Sequence, residues 1–499
     1  MEDSQVTIVV VPRERFSYSE RSLSSIYQNT TFPFRLIYVS AGSPMSIQRY
    51  LDRESKRRGF QLIYVKRYLS PNQARNLALR EVYTKYVVFL DNDALVTRGW
   101  LESLVQCAEE TGAWIVGPLY LIGEIEDQKI HMAAGNLHFK EHQGKRILYD
   151  EQCLFETPLG EVRGSLARKA CDYVEFHCML VRTDVFQRIG LLDEKLLSHN
   201  EHIDICLAVR DAGGSVYIEP KAMTSYVPPP PCEWSDLTYF MLRWSETWNL
   251  ETVRHFNQKW GVSAARWFGD ESSPDTEDTI VRWARGHRRL MTGLRVSGDV
   301  VGCRPESFLE QAEVMVAMFL SVDRDCFDLA LTTGDGSIEK FQSALNPQAS
   351  LEQLPHLLQE ADEKNLNVMI HPLAHGRPGE PALVRLDDLD PEGLSRVKPY
   401  AFLTLETRPG RYQCLLAVAQ GNWRSDATLR RLVAADQGNG KTNSFVRMAG
   451  SKNAEPESGQ IAGGYPRVKL IEGVTGHLIT VHQLEGSKAV PHLWSSQVS

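Results

Sequence analysis

No apolar run in the 499 residues approaches the ~20 that a membrane helix needs, so no membrane span is expected. The opening Met1-Glu-Asp-Ser-Gln has neither a basic n-region nor an apolar h-region, and a cytoplasmic protein is the expectation. Cysteine occurs nine times but never as a C-x-x-C pair, which fits reduced thiols and speaks against both a disulfide framework and a structural zinc site. Positive charge is not in excess: the formal net charge is -8, so any contact with nucleic acid must be local to one region. No repeat of fixed period is visible. What remains is a globular composition, with 42% hydrophobic and 24% charged residues, in a chain long enough for two or three domains.

Along the first half, apolar and β-branched runs alternate with amphipathic stretches. Val6–Val11, Phe34–Val39, Leu62–Val65 and Tyr86–Leu90 read as strands, and Ser19–Gln28 and Pro71–Tyr83 as helices between them. That rhythm predicts a mostly parallel sheet covered on both faces, with ligands at the carboxyl ends of its strands. Pro228–Pro231 can continue neither helix nor central strand, and the aromatic helical stretch Trp234–Trp260 after it is expected to close this domain. Gly298, Gly302 and Pro305 suggest a linker, which sets the domains at 1–290 and 311–499 with 291–310 between them. The second half carries a helix at Ser307–Val322, strands at Val368–His371, Ala401–Leu405 and Leu415–Ala419, and a polar Gly-rich loop at Asn453–Gly464.

The strand Tyr86-Val-Val-Phe-Leu ends abruptly in Asp91-Asn-Asp93. Two carboxylates one residue apart repel each other unless a cation or solvent relieves them, so the triplet is either a divalent-metal site or a pair of solvated turn aspartates. Upstream, Ser70-Pro-Asn-Gln-Ala-Arg-Asn opens a helix and puts Asn72, Arg75 and Asn76 near an N-terminus, where anions are favoured. Downstream come Phe176-His-Cys-Met-Leu-Val-Arg182, then Asn200-Glu-His-Ile-Asp204, then Arg210 and Gly213-Gly-Ser-Val-Tyr-Ile-Glu-Pro220.

This ordered set, over about residues 5–260, resembles family 2 glycosyltransferases: N-x-A-R-N, a hydrophobic strand with D-x-D, an acidic helix, then R-x-x-G-x-x-V-x-x-x-P. The resemblance implies a GT-A, Rossmann-like mixed-sheet domain that moves a sugar from a nucleotide-diphospho-sugar, UDP- or GDP-linked, to a glycan or other hydroxyl acceptor. It implies Asp91 and Asp93 at Mn²⁺ or Mg²⁺ and the diphosphate, and Pro12, Ser40, Asn72 and Arg75 around the nucleotide. Glu201–Asp204 then face the acceptor, where a carboxylate acts as general base in inverting members. Glu201-His202 replaces the usual Glu-Asp, so the base is Glu201 or His202, the imidazole being suited by its pKa near 6.5. Ser40 stands where an Asp usually reads the base, and Ser225-Tyr226-Val227 replaces a region that often supplies a metal-binding His.

In the second half, Val384-Arg-Leu-Asp-Asp-Leu-Asp390, Glu406-Thr-Arg-Pro-Gly-Arg-Tyr-Gln413, Leu429–Asp436 and Phe445-Val-Arg-Met-Ala-Gly-Ser-Lys-Asn453 follow in order. This series resembles plasmid replication primases over about residues 350–475, and implies a separate α+β primase-like domain. Asp387, Asp388 and Asp436 would then be catalytic carboxylates of a two-metal site. Arg447 and Lys452 would face phosphates, with single-stranded DNA as a partner. A degenerate relative that binds nucleic acid without synthesis fits the same residues, because Arg408 and Arg411 replace the usual Ser and Asn.

Overall fold

The computed structural model describes residues 4–142, 144–264, 277–298, 304–377, 379–419, 445–458, 464–480 and 483. They form two compact units, residues 1–230 with 248–284, and residues 231–247 with 285–499.

The first unit is built on one large mixed sheet. Its parallel half comprises β1 (Val6–Val11), β2 (Phe34–Ala41), β3 (Gln61–Val65) and β4 (Tyr86–Asp91), with β1 between β2 and β4 and β3 at the edge. Every residue of β1 and β4 is buried, as continuous apolar runs covered on both faces demand. The half-exposed β3 fits its edge position. The other half comprises β5 (Ala94–Val96), β6 (Ile115–Ile122), β7 (Lys129–Met132), β10 (Lys169–Cys171), β11 (Cys178–Arg182) and β12 (Val216–Tyr226). Between them, β8 (Gly135–His142) and β9 (Lys145–Gln152) pair as a hairpin outside this sheet.

The βαβ rhythm misses one feature that shapes the site. β11 inserts antiparallel between β4 and β6, with Cys178 opposite Leu90. The turn just before β11 therefore meets the carboxyl end of β4. The helix Pro71–Leu79 starts where expected, with Pro71 in its first turn and a capping box in which Ser70 and Gln73 bond each other's backbone N–H. It stops four residues short of Tyr83.

The second unit is α+β. One sheet runs Arg295–Ser297, Lys469–Val474, Leu403–Arg408, Arg411–Val418 and Ala382–Leu389, all antiparallel. Another runs Ile338–Leu345, Phe327–Thr332, Asn367–Pro372 and Val446–Arg447. Two sequence expectations give way here. Arg295–Ser297 lies inside the expected linker yet forms a strand, with Val296 fully buried. The stretch Trp234–Trp260 is two helices, broken at Trp244-Ser245. The first of them, Trp234–Arg243, packs on the helix Phe308–Ser321 and belongs to the second unit, with Leu237, Phe240 and Met241 buried.

Candidate active site

The carboxyl end of β4 gathers side chains from five segments of the first unit. Asp91 is fully buried and fully engaged. Arg75 Nη2 donates to its Oδ1 at 2.9 Å, His177 Nδ1 lies 3.0 Å from Oδ2, and Arg13 Nε is 3.5 Å away. Burial alone would raise the Asp91 carboxyl; the His177 hydrogen bond and the Arg13 and Arg75 charges hold it below its ordinary range. Asn92 pins the turn after β1, accepting from Arg13 N at 2.9 Å and donating to the Arg15 carbonyl at 2.9 Å and to Ser19 Oγ at 3.1 Å. That turn includes the buried Pro12.

Asp93 differs from its neighbour in every respect but burial. Both its oxygens are buried without a hydrogen-bond partner. Burial, then the nearby Asp91 and Glu14 charges, push it well above the ordinary carboxylate range. A buried carboxylate in that condition is costly, and a bound cation or a proton relieves it.

Arg75 belongs to the same cluster. It is fully buried beneath Asp91, receives support from Asn72 Oδ1 at 3.1 Å, and lies over the Phe176 ring at 3.7 Å. Asn72 in turn donates to the Asp193 carbonyl at 3.0 Å. Asn72 and Arg75 thus link Asp91 to the Asp193 backbone. Ser40 is buried and bonded to Ser43 at 2.9 Å and Gln48 at 2.7 Å.

The helix Glu201–Asp211 splits its acids. Glu201 joins the cluster, 2.6 Å from Arg13 Nη1 and 3.8 Å from Arg75. His202 turns its ring toward Tyr173, at 5.6 Å between centroids. Asp204 is engaged elsewhere: Lys259 lies 2.7 Å from one oxygen and 2.9 Å from the other, and Trp260 Nε1 donates at 2.8 Å. It therefore ties this helix to the one over Glu246–Trp260.

Sequence reasoning missed His131, Glu175 and His177. Their ligand atoms all lie within 4.8 Å of one another, and all three residues are buried. Tyr226, in the segment that stands in place of a region often supplying a metal-binding His, stacks on the His177 ring at 4.1 Å and donates its hydroxyl to Glu14 at 2.7 Å. One signal was available in the sequence. Glu175 and His177, two metal-ligand residue types separated by one position, stand just before the apolar run Cys178–Arg182.

In the second unit, Asp387 and Asp388 line a cleft of ≈ 420 Å³ together with Arg385, Arg408, Gln413 and Arg447. Asp387 is bonded by Gln413 and by Arg385 at 2.8 Å, and Asp388 by Arg408 at 2.9 Å. Arg447 pairs with Glu455. Lys452 does not reach the cleft: its ammonium bonds the Asp362 carbonyl and Asn365 Oδ1, each at 2.8 Å, at the end of the helix Pro347–Lys364, where a cation is favoured. Asp436 lies outside the described residues.

The family model for glycosyl transferase family 2 matches residues 7–189. The pre-mycofactocin glycosyltransferase of Mycobacterium tuberculosis is 25% identical over 221 residues, which are 44% of this chain and 42% of that protein. The chain thus spans less than half the length of the curated relative it matches. Among solved structures, GalNAc-T7 with UDP, GalNAc and Mn²⁺ is 14% identical, covering 58% of this chain and 56% of that one with a TM-score of 0.36. The primase RepB′ is 22% identical, covering 37% and 60% with a TM-score of 0.28. At those scores neither likeness bears on the fold. The family match and the relative together support a glycosyltransferase enzyme.

Proposed function

We propose that the first unit transfers a sugar from a nucleotide-diphosphate donor to a hydroxyl acceptor at the carboxyl end of β4. The observation that carries this reading is Asp93, a fully buried carboxylate with no partner on either oxygen, next to an Asp91 that is already compensated. An all-oxygen position of this kind suits Mn²⁺ or Mg²⁺, with water and donor phosphates completing the shell. Bound there, such a cation supplies Lewis-acid stabilisation of the departing diphosphate.

The residues of the chain divide the remaining work. Asp91 fixes Arg75 and Arg13 under the site, and Asn92 holds the turn that carries Arg13 and Glu14. Glu201 is our candidate for the base that takes the acceptor hydroxyl proton, because it belongs to the same ion-paired cluster. His202 is the alternative, one residue away on the same helix. Hydrolysis of a panel of UDP- and GDP-sugars by the full chain with Mn²⁺ tests the proposal. Turnover of one donor, abolished by chelator, supports it; no turnover of any donor counts against it.

A second reading belongs to the second unit, as a module for nucleotides or single-stranded DNA, with primer synthesis as its catalytic form. The cleft that sets Asp387 and Asp388 among arginines favours it. Salt-sensitive retention of single-stranded DNA by the full chain, weakened in Arg408→Ala, supports binding. Incorporation of labelled nucleotides, lost in Asp387→Ala, supports synthesis.

A further inference from the structure

We propose that His131, Glu175 and His177 form a second metal site, distinct from Asp93, that takes one divalent transition ion of the zinc class. It does not depend on the sugar-transfer reading.

The side chains come from two neighbouring parts of the sheet. His131 is on β7, and Glu175 and His177 are in the turn that leads into β11. His131 Nε2 lies 2.9 Å, and His177 Nε2 3.3 Å, from the same Glu175 Oε2. Four ligands at the usual Zn–N and Zn–O lengths of about 2.0–2.1 Å stand roughly 3.3 Å apart in a tetrahedron. Both distances to Glu175 Oε2 are within a few tenths of an ångström of that spacing, and all three ligand atoms lie within 4.8 Å of one another. Two imidazoles and one carboxylate leave at least one position open, as in catalytic zinc sites. Imidazole nitrogen selects Zn²⁺, Co²⁺ or Fe²⁺ over the hard Mg²⁺, which separates this site from the all-oxygen Asp93.

The surroundings are those of a metal site as well. His177 uses its other nitrogen, Nδ1, on Asp91 Oδ2 at 3.0 Å, the carboxylate–histidine arrangement that fixes the tautomer with Nε2 free to ligate. Gln152 Nε2 donates to the other Glu175 oxygen at 2.8 Å and holds the carboxylate in place. Tyr226 stacks on the face of His177 and fixes the ring. His131 Nδ1 is buried without a hydrogen-bond partner, and its ring is oriented through Nε2 on Glu175 and by the rings of Phe155, His177 and Tyr226.

The test is metal content of the full chain after chelator stripping and dialysis against Zn²⁺ or Co²⁺. The expected result is one equivalent of Zn²⁺ retained, not displaced by excess Mg²⁺, with a Co²⁺ form that shows visible absorption and a raised melting temperature. Asp91→Asn lowers Zn²⁺ affinity by about 10–100-fold, as loss of an outer partner does. His131→Ala and the isosteric Glu175→Gln lower it further, so the result does not hang on the folding of one variant. Asp93→Asn keeps the equivalent. Absence of bound Zn²⁺ in the wild type, retention in both ligand variants, or loss in Asp93→Asn to the same degree as in His131→Ala each overturns the assignment. The first two outcomes would leave a hydrogen-bonded His–Glu–His network. The third would place the ion at Asp93. None of the three measures sugar transfer, so the two proposals fail separately.

Discussion

Two apolar strands of this chain end in a pair of acids, and the structure treats them in opposite ways. β4 lies inside a sheet, flanked by β1 and β11, and is buried along its whole length. Its acids are fully buried, and one of them has no partner. The strand Ala382–Leu389 pairs on one side only, at the edge of its sheet. Its acids have side chains 44% and 58% exposed and are matched by arginines. Water and surface cations cost little to recruit, whereas a buried unpaired carboxylate costs several kcal/mol, about what a bound metal ion repays. The same sequence signal therefore marks a buried carboxylate without a hydrogen-bond partner in one unit, where we propose a cation, and a solvated ion-paired rim in the other.

The largest effect that tests this contrast is expected at Asp93. Asp93→Asn lowers donor turnover by about 10³-fold or more through loss of cation binding, while the melting temperature of the metal-free protein stays the same or rises, since an uncompensated buried charge is removed. A variant that loses stability and keeps turnover would erase the distinction between the two strand ends. Next in size is Glu201→Gln. It should lower the turnover of sugar transfer by about 10²–10⁴-fold with nucleotide affinity within a few fold, as for a group that acts on the acceptor proton. A larger loss in His202→Asn, steepening below about pH 6.5, would move the base to the imidazole.

Smaller effects are expected in the second unit. The His375 ring pairs with Asp325, and that hydrogen bond raises its pKa above 6.5 despite partial burial. The folded state holds the proton more tightly, so the pair stabilises fully below about pH 6.5 and loses this contribution as pH rises through the raised value. The stability gap between wild type and His375→Asn, under about 1 kcal/mol for a partly exposed pair, should close in denaturant titrations as pH rises from below about 6.5 through the raised value. The smallest effect belongs to the exposed acids. Asp387→Asn and Asp388→Asn should each change stability by under about 0.5 kcal/mol and leave donor turnover at the wild-type rate.

Much of the first unit was legible because its strands are continuous apolar runs. Val6–Val11 was read to the residue, and the candidate site was placed at the end of Tyr86–Leu90 from two acids separated by one residue. The antiparallel β11 was not legible, because strand direction follows from how the chain returns and not from the run Cys178–Arg182 itself. The metal-ligand cluster was hidden for a related reason: His131 and His177 are 46 positions apart by number and meet only through sheet pairing. Roles were harder still. Nothing in Asn72-Gln-Ala-Arg75 distinguishes a buried brace from a ligand contact, and nothing in Glu201–Asp204 reveals that Lys259 and Trp260 claim the last acid. In the second unit, Lys452 read as a phosphate contact through the resemblance to primases, while the Asp362 carbonyl that its ammonium bonds lies 90 residues away in the sequence.

The central claim is that the unpartnered Asp93 is where a cation joins a nucleoside diphosphate to this protein, and calorimetric titration of UDP and GDP into the full chain and into Asp93→Asn, with and without Mn²⁺, tests it most directly. One nucleotide should bind the wild type only when Mn²⁺ is present, with affinity lost by about 100-fold or more in Asp93→Asn, some 2.7 kcal/mol. Equal affinity in the two proteins, or binding indifferent to Mn²⁺, would contradict the account.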